Sequence, residues 1–149
     1  MEDLRALYQE VILDHYKNPR HFGVLEEATC KAEGTNPLCG DQVTIYAQIE
    51  SGRIVDLSFE GVGCAISTAS ASLMTEALVG KTLEEAAELH ETFHGLLTGK
   101  DVDVSNDELG KLEVLAGVRD YPVRIKCATL AWHALRSAVE GGGAQVSTE

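Results

Sequence analysis

The fold is decided by residues 42–64, which read QVTIYAQIESGRIVDLSFEGVGC. Apolar side chains alternate with polar ones from Val43 to Ile49, and a second apolar run extends from Ile54 to Phe59. Residues 51–53, Ser-Gly-Arg, separate the two runs and suit a turn. Period-two alternation on both sides of a turn predicts an antiparallel hairpin with one buried face.

Helical patterns surround this hairpin. Residues 28–34 suit a further short strand, which predicts a small three-stranded antiparallel sheet. Apolar spacing, glycine and proline breaks, and the Thr82–Glu85 capping box predict helices at residues 3–18, 65–79, 83–97, 105–116 and 122–139. This order predicts an α+β fold, with the helices packed on one face of the sheet and a long helix at the C-terminal end.

Size and composition limit the classes of function. A chain of 149 residues is expected to form one domain, here residues 1–140, followed by a disordered glycine-rich tail at 141–149. The net charge of −12 argues against nucleic-acid binding, and no apolar run reaches membrane-spanning length. We therefore expect a cytoplasmic protein whose thiols are reduced, which argues against disulfides.

Three cysteines and one aspartate occupy positions suited to binding a metal. Cys39 and Asp41 lie two residues apart on a tight turn, within Asn-Pro-Leu-Cys-Gly-Asp. Cys64 begins a helix, where the helix dipole favours a thiolate, and Cys127 lies near the start of the last helix. Together they offer three sulfur donors and one oxygen donor, a set suited to zinc or iron. Cys30 lacks such flanking residues and is interpreted as a packing residue.

A competing motif occurs at residues 90–94, which read His-Glu-Thr-Phe-His. It matches the H-E-x-x-H pattern of zinc metalloproteases and lies on a predicted helix. Glu108 and Glu113 are the residues that could be nominated as a third ligand, and His133 is interpreted as a surface or core-edge residue. The glycine expected three residues after the second histidine is replaced by Leu97, which argues against a protease.

The cysteine motifs resemble those of a known family. The stretch around Cys39, the Gly-Val-Gly-Cys-Ala-Ile-Ser stretch around Cys64 and the Arg-x-Lys-Cys at Cys127 are similar to the three motifs of the U-type iron–sulfur assembly proteins. That family includes IscU, SufU and the N-terminal domain of NifU. Residues 7–19, which read LYQEVILDHYKNP, also resemble the family, and the resemblance extends over about residues 4–140.

The resemblance implies a fold, a site and partners. It implies an α+β domain in which Cys39, Asp41, Cys64 and Cys127 cluster at one exposed end. It implies that sulfur arrives as a persulfide from a pyridoxal-phosphate cysteine desulfurase, and that scaffold members assemble a [2Fe–2S] cluster for recipient apoproteins. On this interpretation the H-E-x-x-H match is coincidental.

Two features are similar to the SufU branch of the family. Lys126 occupies the position where IscU proteins have a histidine, and the segment between Cys64 and Cys127 is long. The likeness implies bound zinc and a zinc-dependent sulfurtransferase as the alternative to a scaffold.

Cys127 is our candidate for the cysteine that accepts the persulfide. The cationic side chains of Arg124 and Lys126 lie close to it in sequence and should favour its thiolate. The thiolate is the reactive form in exchange with a persulfide.

Overall fold

The computed structural model describes residues 2–37, 40–98, 110–140 and 146–147. Its helices and strands, in chain order, are α1 Glu2–Lys17, β1 Cys30–Asn36, β2 Asp41–Glu50, β3 Arg53–Val62, α2 Ala65–Leu78, α3 Leu83–Leu97, a 3₁₀ helix Gly110–Asp120, α4 Pro122–Val139 and β4 Val146–Ser147. Within these ranges, no helix combines the length and the apolar content of a membrane span.

The predicted hairpin forms the centre of the sheet. Strand β2 pairs antiparallel with β3 on one side and with β1 on the other, and the pairing places Asn36 opposite Asp41. Val43, Ile45 and Ala47 are buried, whereas Gln42 is exposed on the opposite face. This alternation, produced by the two-residue period of a strand, leaves one apolar face for the helices.

Helix α4 covers β1 and β2, and α2 packs against β3 and α4. The approach of α4 to β1 is close at Gly34, where an added Cβ would lie 3.0 Å from Leu130 Cδ1 and 3.3 Å from Ala134 Cβ. A glycine at this position therefore lets α4 approach the sheet. The α+β prediction, including the long C-terminal helix, is confirmed.

The helix starts follow the local sequence. The Thr82 hydroxyl accepts a hydrogen bond from Glu85 N–H at 3.1 Å, and Thr82 N–H donates to Glu85 Oε1 at 2.9 Å, as the capping box predicted. Pro122 is the first residue of α4. An N–H at this position has no acceptor within the helix, so proline, which lacks the N–H, is well suited to it.

Two predictions from the sequence need correction. Val146 and Ser147, expected in a disordered tail over 141–149, pair parallel with Gly34 and Thr35 and extend the sheet to four strands. The helix predicted at 105–116 is a 3₁₀ helix at Gly110–Asp120, in a sequence whose glycines and valines are poor α-helix formers. Residues 105–109 lie outside the described part of the chain.

Candidate metal centre

The turn between β1 and β2 places Asp41 beside the start of α2. Gly40 N–H donates to the Asn36 carbonyl at 2.8 Å and closes the loop at the end of β1. Gly40 has φ +73°, in the left-handed region that favours glycine. Asp41 then begins β2 with its side chain on the helix-covered face, where it is 1% exposed. Cys39, predicted as a ligand on this loop, lies outside the described residues.

Cys64 is the N-cap residue of α2. Its sulfur accepts a hydrogen bond from Ser67 N–H at 3.4 Å, and its own N–H donates to Asp41 Oδ1 at 2.9 Å. Cys64 Sγ lies 3.8 Å from Asp41 Oδ2. The helix start therefore fixes a thiol and a carboxylate side by side, using backbone N–H groups that the helix cannot satisfy internally.

Gly63 makes this close approach possible. A Cβ added to Gly63 would lie 3.0 Å from Asp41 Oδ1 and 3.3 Å from Ser67 Oγ. Distances this short require the neighbouring side chains to move, so a larger residue at 63 would displace the Asp41 carboxylate. The glycine before Cys64 thus has a packing role that the sequence motif alone did not specify.

Cys127 reaches the same place from the second turn of α4. It is fully buried, and its sulfur is 3.5 Å from Nδ2 of the equally buried Asn36, which donates to it. The sequence indicates Asn36 only as a turn residue. Because an amide that donates to a ligand sulfur orients it, Asn36 is a functional candidate that sequence reasoning missed.

The ligand atoms of Asp41, Cys64 and Cys127 all lie within 4.8 Å of one another. Ligand atoms of a tetrahedral zinc site with Zn–S bonds near 2.3 Å lie about 3.8 Å apart, so a small contraction would bring these three onto one ion. Two thiols and a carboxylate are also donors that zinc and iron accept. The described part of the site therefore fits the predicted donor set.

Cys30 lies apart from this cluster, as expected. It begins β1, six residues and about 20 Å of extended strand away from Asn36. Its thiol donates to the Ala47 carbonyl at 3.8 Å. Burial raises the pKa of the Cys30 thiol, which disfavours its thiolate.

The cationic residues near Cys127 occupy different environments. Arg124 is exposed in the first turn of α4, and Lys126 is half-buried directly before the cysteine. Both belong to the helix that positions Cys127.

The histidine motif is found on α3, and a third histidine joins it. The ring of His133 on α4 lies 5.4 Å from that of His90 and 6.1 Å from that of His94, measured between centroids. Glu91 is exposed. Glu108 and the side chain of Glu113 lie outside the described part of the structure. No sequence pattern indicated that His133 would meet the motif, because the contact depends on how α3 packs against α4.

Comparison with known proteins identifies the family. The family model of the NifU-like N terminal domain matches residues 7–128. Among curated proteins, the zinc-dependent sulfurtransferase SufU of Bacillus subtilis is 46% identical over 143 residues, covering 94% of this chain and 96% of that protein. The iron–sulfur cluster assembly scaffold protein IscU of Streptococcus pyogenes is 42% identical, covering 94% of this chain and 87% of its own length.

A solved structure agrees with these relatives. The chain resembles an iron–sulfur cluster assembly scaffold protein for the SUF system from Fervidobacterium islandicum, with a TM-score of 0.83 and 40% identity. That match covers 90% of this chain and 97% of the other. The chain therefore belongs to the NifU-like N-terminal domain family, in which the IscU and SufU proteins are its relatives.

Proposed function

We propose that this protein serves iron–sulfur cluster assembly by accepting persulfide sulfur and holding a metal ion or a nascent [2Fe–2S] cluster. The ligands are Cys39, Asp41, Cys64 and Cys127. The observation that carries the proposal is the convergence of the last three, whose ligand atoms lie within 4.8 Å of one another. The relatives named as an assembly scaffold and as a sulfurtransferase support it.

The sulfur donor is a pyridoxal-phosphate cysteine desulfurase, and recipient apoproteins take the product. Both are expected to meet the protein in the cytoplasm. In the transfer step, the acceptor thiolate attacks the outer sulfur of the enzyme's persulfide. A new S–S bond forms on the acceptor, the old S–S bond breaks, and the desulfurase cysteine leaves as a thiolate. No external oxidant is needed.

Cys127 is the proposed acceptor, and its burial places a condition on that role. The residue is 0% exposed, whereas Cys64 is half-buried. An incoming persulfide can therefore reach Cys127 only if docking of the desulfurase changes the packing around this side chain. Arg124 and Lys126, on the same helix, would favour the thiolate form during that step.

The Asp41 carboxylate gives the site a way to release its cargo. A hard oxygen donor binds soft iron–sulfur or thiophilic ions less strongly than a thiolate does. At the same time Asp41 Oδ1 accepts the Cys64 N–H at 2.9 Å, which keeps the carboxylate in place. The same side chain thus combines a fixed position with a weaker metal bond.

A second candidate function is a zinc-dependent sulfurtransferase that accepts sulfur without being the main scaffold. The 46% identity to a relative of that name favours it, as does Lys126 at the position before Cys127. A zinc ion bound at the site would hold the thiols as thiolates until transfer.

One experiment separates the two candidates. Metal analysis of the purified full chain is combined with anaerobic addition of iron and sulfide, followed by absorbance spectroscopy. A scaffold gains the visible charge-transfer bands of a [2Fe–2S] cluster, and these bands are lost in Cys64→Ser. A sulfurtransferase retains about one equivalent of zinc and gains no such bands. A wild-type protein that binds neither metal nor cluster contradicts both.

A further inference from the structure

Three histidines form a second cluster of ligating side chains. His90 and His94 lie one turn apart on α3, and His133 faces them from α4 at centroid distances of 5.4 and 6.1 Å. All three line a cleft of about 590 Å³, together with Glu91 and Glu140. Solutes can reach the imidazole rings through this cleft, whereas they cannot enter the tightly packed core.

The ring nitrogens of these histidines lack hydrogen-bond partners among the described residues, although the rings are only partly exposed. The histidines of the N-terminal region differ. The Nδ1 atom of His15 lies 2.7 Å from the Ser72 hydroxyl, and that of His21 lies 2.9 Å from the Thr75 hydroxyl. Those two rings have a structural use, whereas the nitrogens of the α3–α4 cluster keep their capacity to bind a ligand.

The burial of His90 and His133 is consistent with the kind of ligand that the geometry indicates. Burial, with the neighbouring His133, Arg136 and His94, lowers the pKa of His90 to about 4, and burial also lowers the pKa of His133. A neutral imidazole offers a lone pair and no positive charge. Such rings suit a metal cation and are poor partners for an anion.

We propose that His90, His94 and His133 bind a divalent transition-metal ion such as zinc, at a site distinct from the thiol cluster. Imidazole nitrogens suit zinc and nickel. Zn–N bonds of about 2.0–2.1 Å require the three nitrogens to approach more closely than the ring positions now allow. Binding would therefore require the rings to rotate, and the cleft that they line offers space for that rotation.

The two sites are separate although α4 contributes to both. His133 follows Cys127 by six residues, which is about 9 Å along a helix axis and a different direction around it. An ion held by the histidines therefore need not share a ligand with the thiol cluster. The H-E-x-x-H motif becomes part of a binding site, and no hydrolysis is implied.

The test uses the full chain loaded with one equivalent of zinc. Equilibrium dialysis against increasing free zinc, followed by metal analysis, measures a second equivalent. We expect that His94→Gln and His133→Gln each weaken the second equivalent at least about tenfold and retain the first. His21→Gln is the matched control and should retain both.

Trp132 supplies an independent measurement. It is the chain's single tryptophan, and its ring centroid lies 5.7 Å from that of His90. Nickel added to the zinc-loaded protein should quench Trp132 fluorescence in the wild type and in His21→Gln, and much less in the two cluster variants.

Both assays have an outcome that overturns the proposal. It is overturned if the wild type takes up no second equivalent and shows no quenching, or if both cluster variants behave as the wild type. Circular dichroism verifies that each variant folds. Because His94 lies on α3 and His133 on α4, failure of one variant to fold leaves the other to decide.

Discussion

The thiol cluster and the histidine cluster both use α4, but they are built differently. In the thiol cluster, Asp41 is held by the Cys64 N–H, and Cys127 receives the Asn36 amide. In the histidine cluster, the contacts are between rings, without hydrogen bonds from the described residues. Hydrogen bonds from surrounding groups can orient ligating side chains before an ion binds. By this criterion the thiol cluster is preorganised, and the histidine cluster is not.

The donor groups of the two clusters also differ in whether they must lose a proton. A thiol must lose a proton before it binds a metal, whereas a neutral imidazole does not. Metal binding to the thiol cluster should therefore release protons, whereas metal binding to the histidine cluster should release few.

The largest effect is expected from Cys127→Ser. This variant should lose persulfide uptake, because serine cannot form the S–S bond that transfer requires. Mass spectrometry after incubation with desulfurase and cysteine measures the gain of one sulfur atom on the peptide that contains residue 127. Cys30→Ser and His133→Gln, which lie outside the thiol cluster, should take up sulfur as the wild type does.

An outcome in which Cys127→Ser acquires as much persulfide as the wild type would move the acceptor role to another cysteine. The half-buried Cys64 would then be the next residue to test among those described.

Asn36→Ala should weaken zinc binding at the thiol cluster by about 10–100-fold, the usual loss when a residue that orients a ligand is removed. Asn36 donates to Cys127 Sγ, so its loss removes that orientation. Competition with a chromophoric chelator measures the affinity. The neighbouring Thr35→Ala, on the alternate face of β1, is the control. Equal affinity in both variants would show that the thiol cluster is not preorganised by Asn36.

Asp41→Ala should lower the free energy of unfolding of the metal-free protein by about 1–3 kcal/mol, because the Cys64 N–H loses its acceptor. Asp41→Asn retains an oxygen at that position and should be closer to the wild type. Urea denaturation measures both.

Asp41→Ala should also slow the transfer of a bound cluster to a chelator, and unchanged transfer would remove the proposed releasing role.

The smallest effect concerns acid stability and the histidine cluster. The pKa of His90 is about 4 in the folded chain, below the ordinary value of 6.5. The unfolded chain therefore binds more protons between these values, and stability falls as the pH drops from about 6.5 to about 4. In chelator-treated protein, His90→Gln should reduce this dependence of the melting temperature on pH. An unchanged slope would mean that other groups cause the acid sensitivity.

The sequence predicted features that depend on neighbouring residues. The β2–β3 hairpin, the Thr82 capping box and the start of α4 at Pro122 all follow from local spacing and turn chemistry. The same is true of Cys64, because a helix start after a strand can be recognised from the sequence. The grouping of Asp41, Cys64 and Cys127 follows from the chemistry of their donor atoms and from the family resemblance.

Features that depend on packing between distant segments were missed. The contact of Asn36 with Cys127 spans 91 residues, and that of His133 with the H-E-x-x-H pair depends on the approach of α3 and α4. The pairing of β4 with β1 is similarly remote in sequence, and a two-residue strand has no alternation to detect. A glycine-rich, polar segment such as 141–149 suits disorder by composition alone.

Stimulation of a cysteine desulfurase tests the central claim most directly. The zinc-loaded chain is added to the desulfurase of the same organism, and alanine formation from cysteine is followed with time. We predict that the wild type and Cys30→Ser accelerate turnover, because an acceptor removes the persulfide from the enzyme, and that Cys127→Ser does not. The absence of acceleration by the wild type, or equal acceleration by Cys127→Ser, would contradict the proposed sulfur-accepting site.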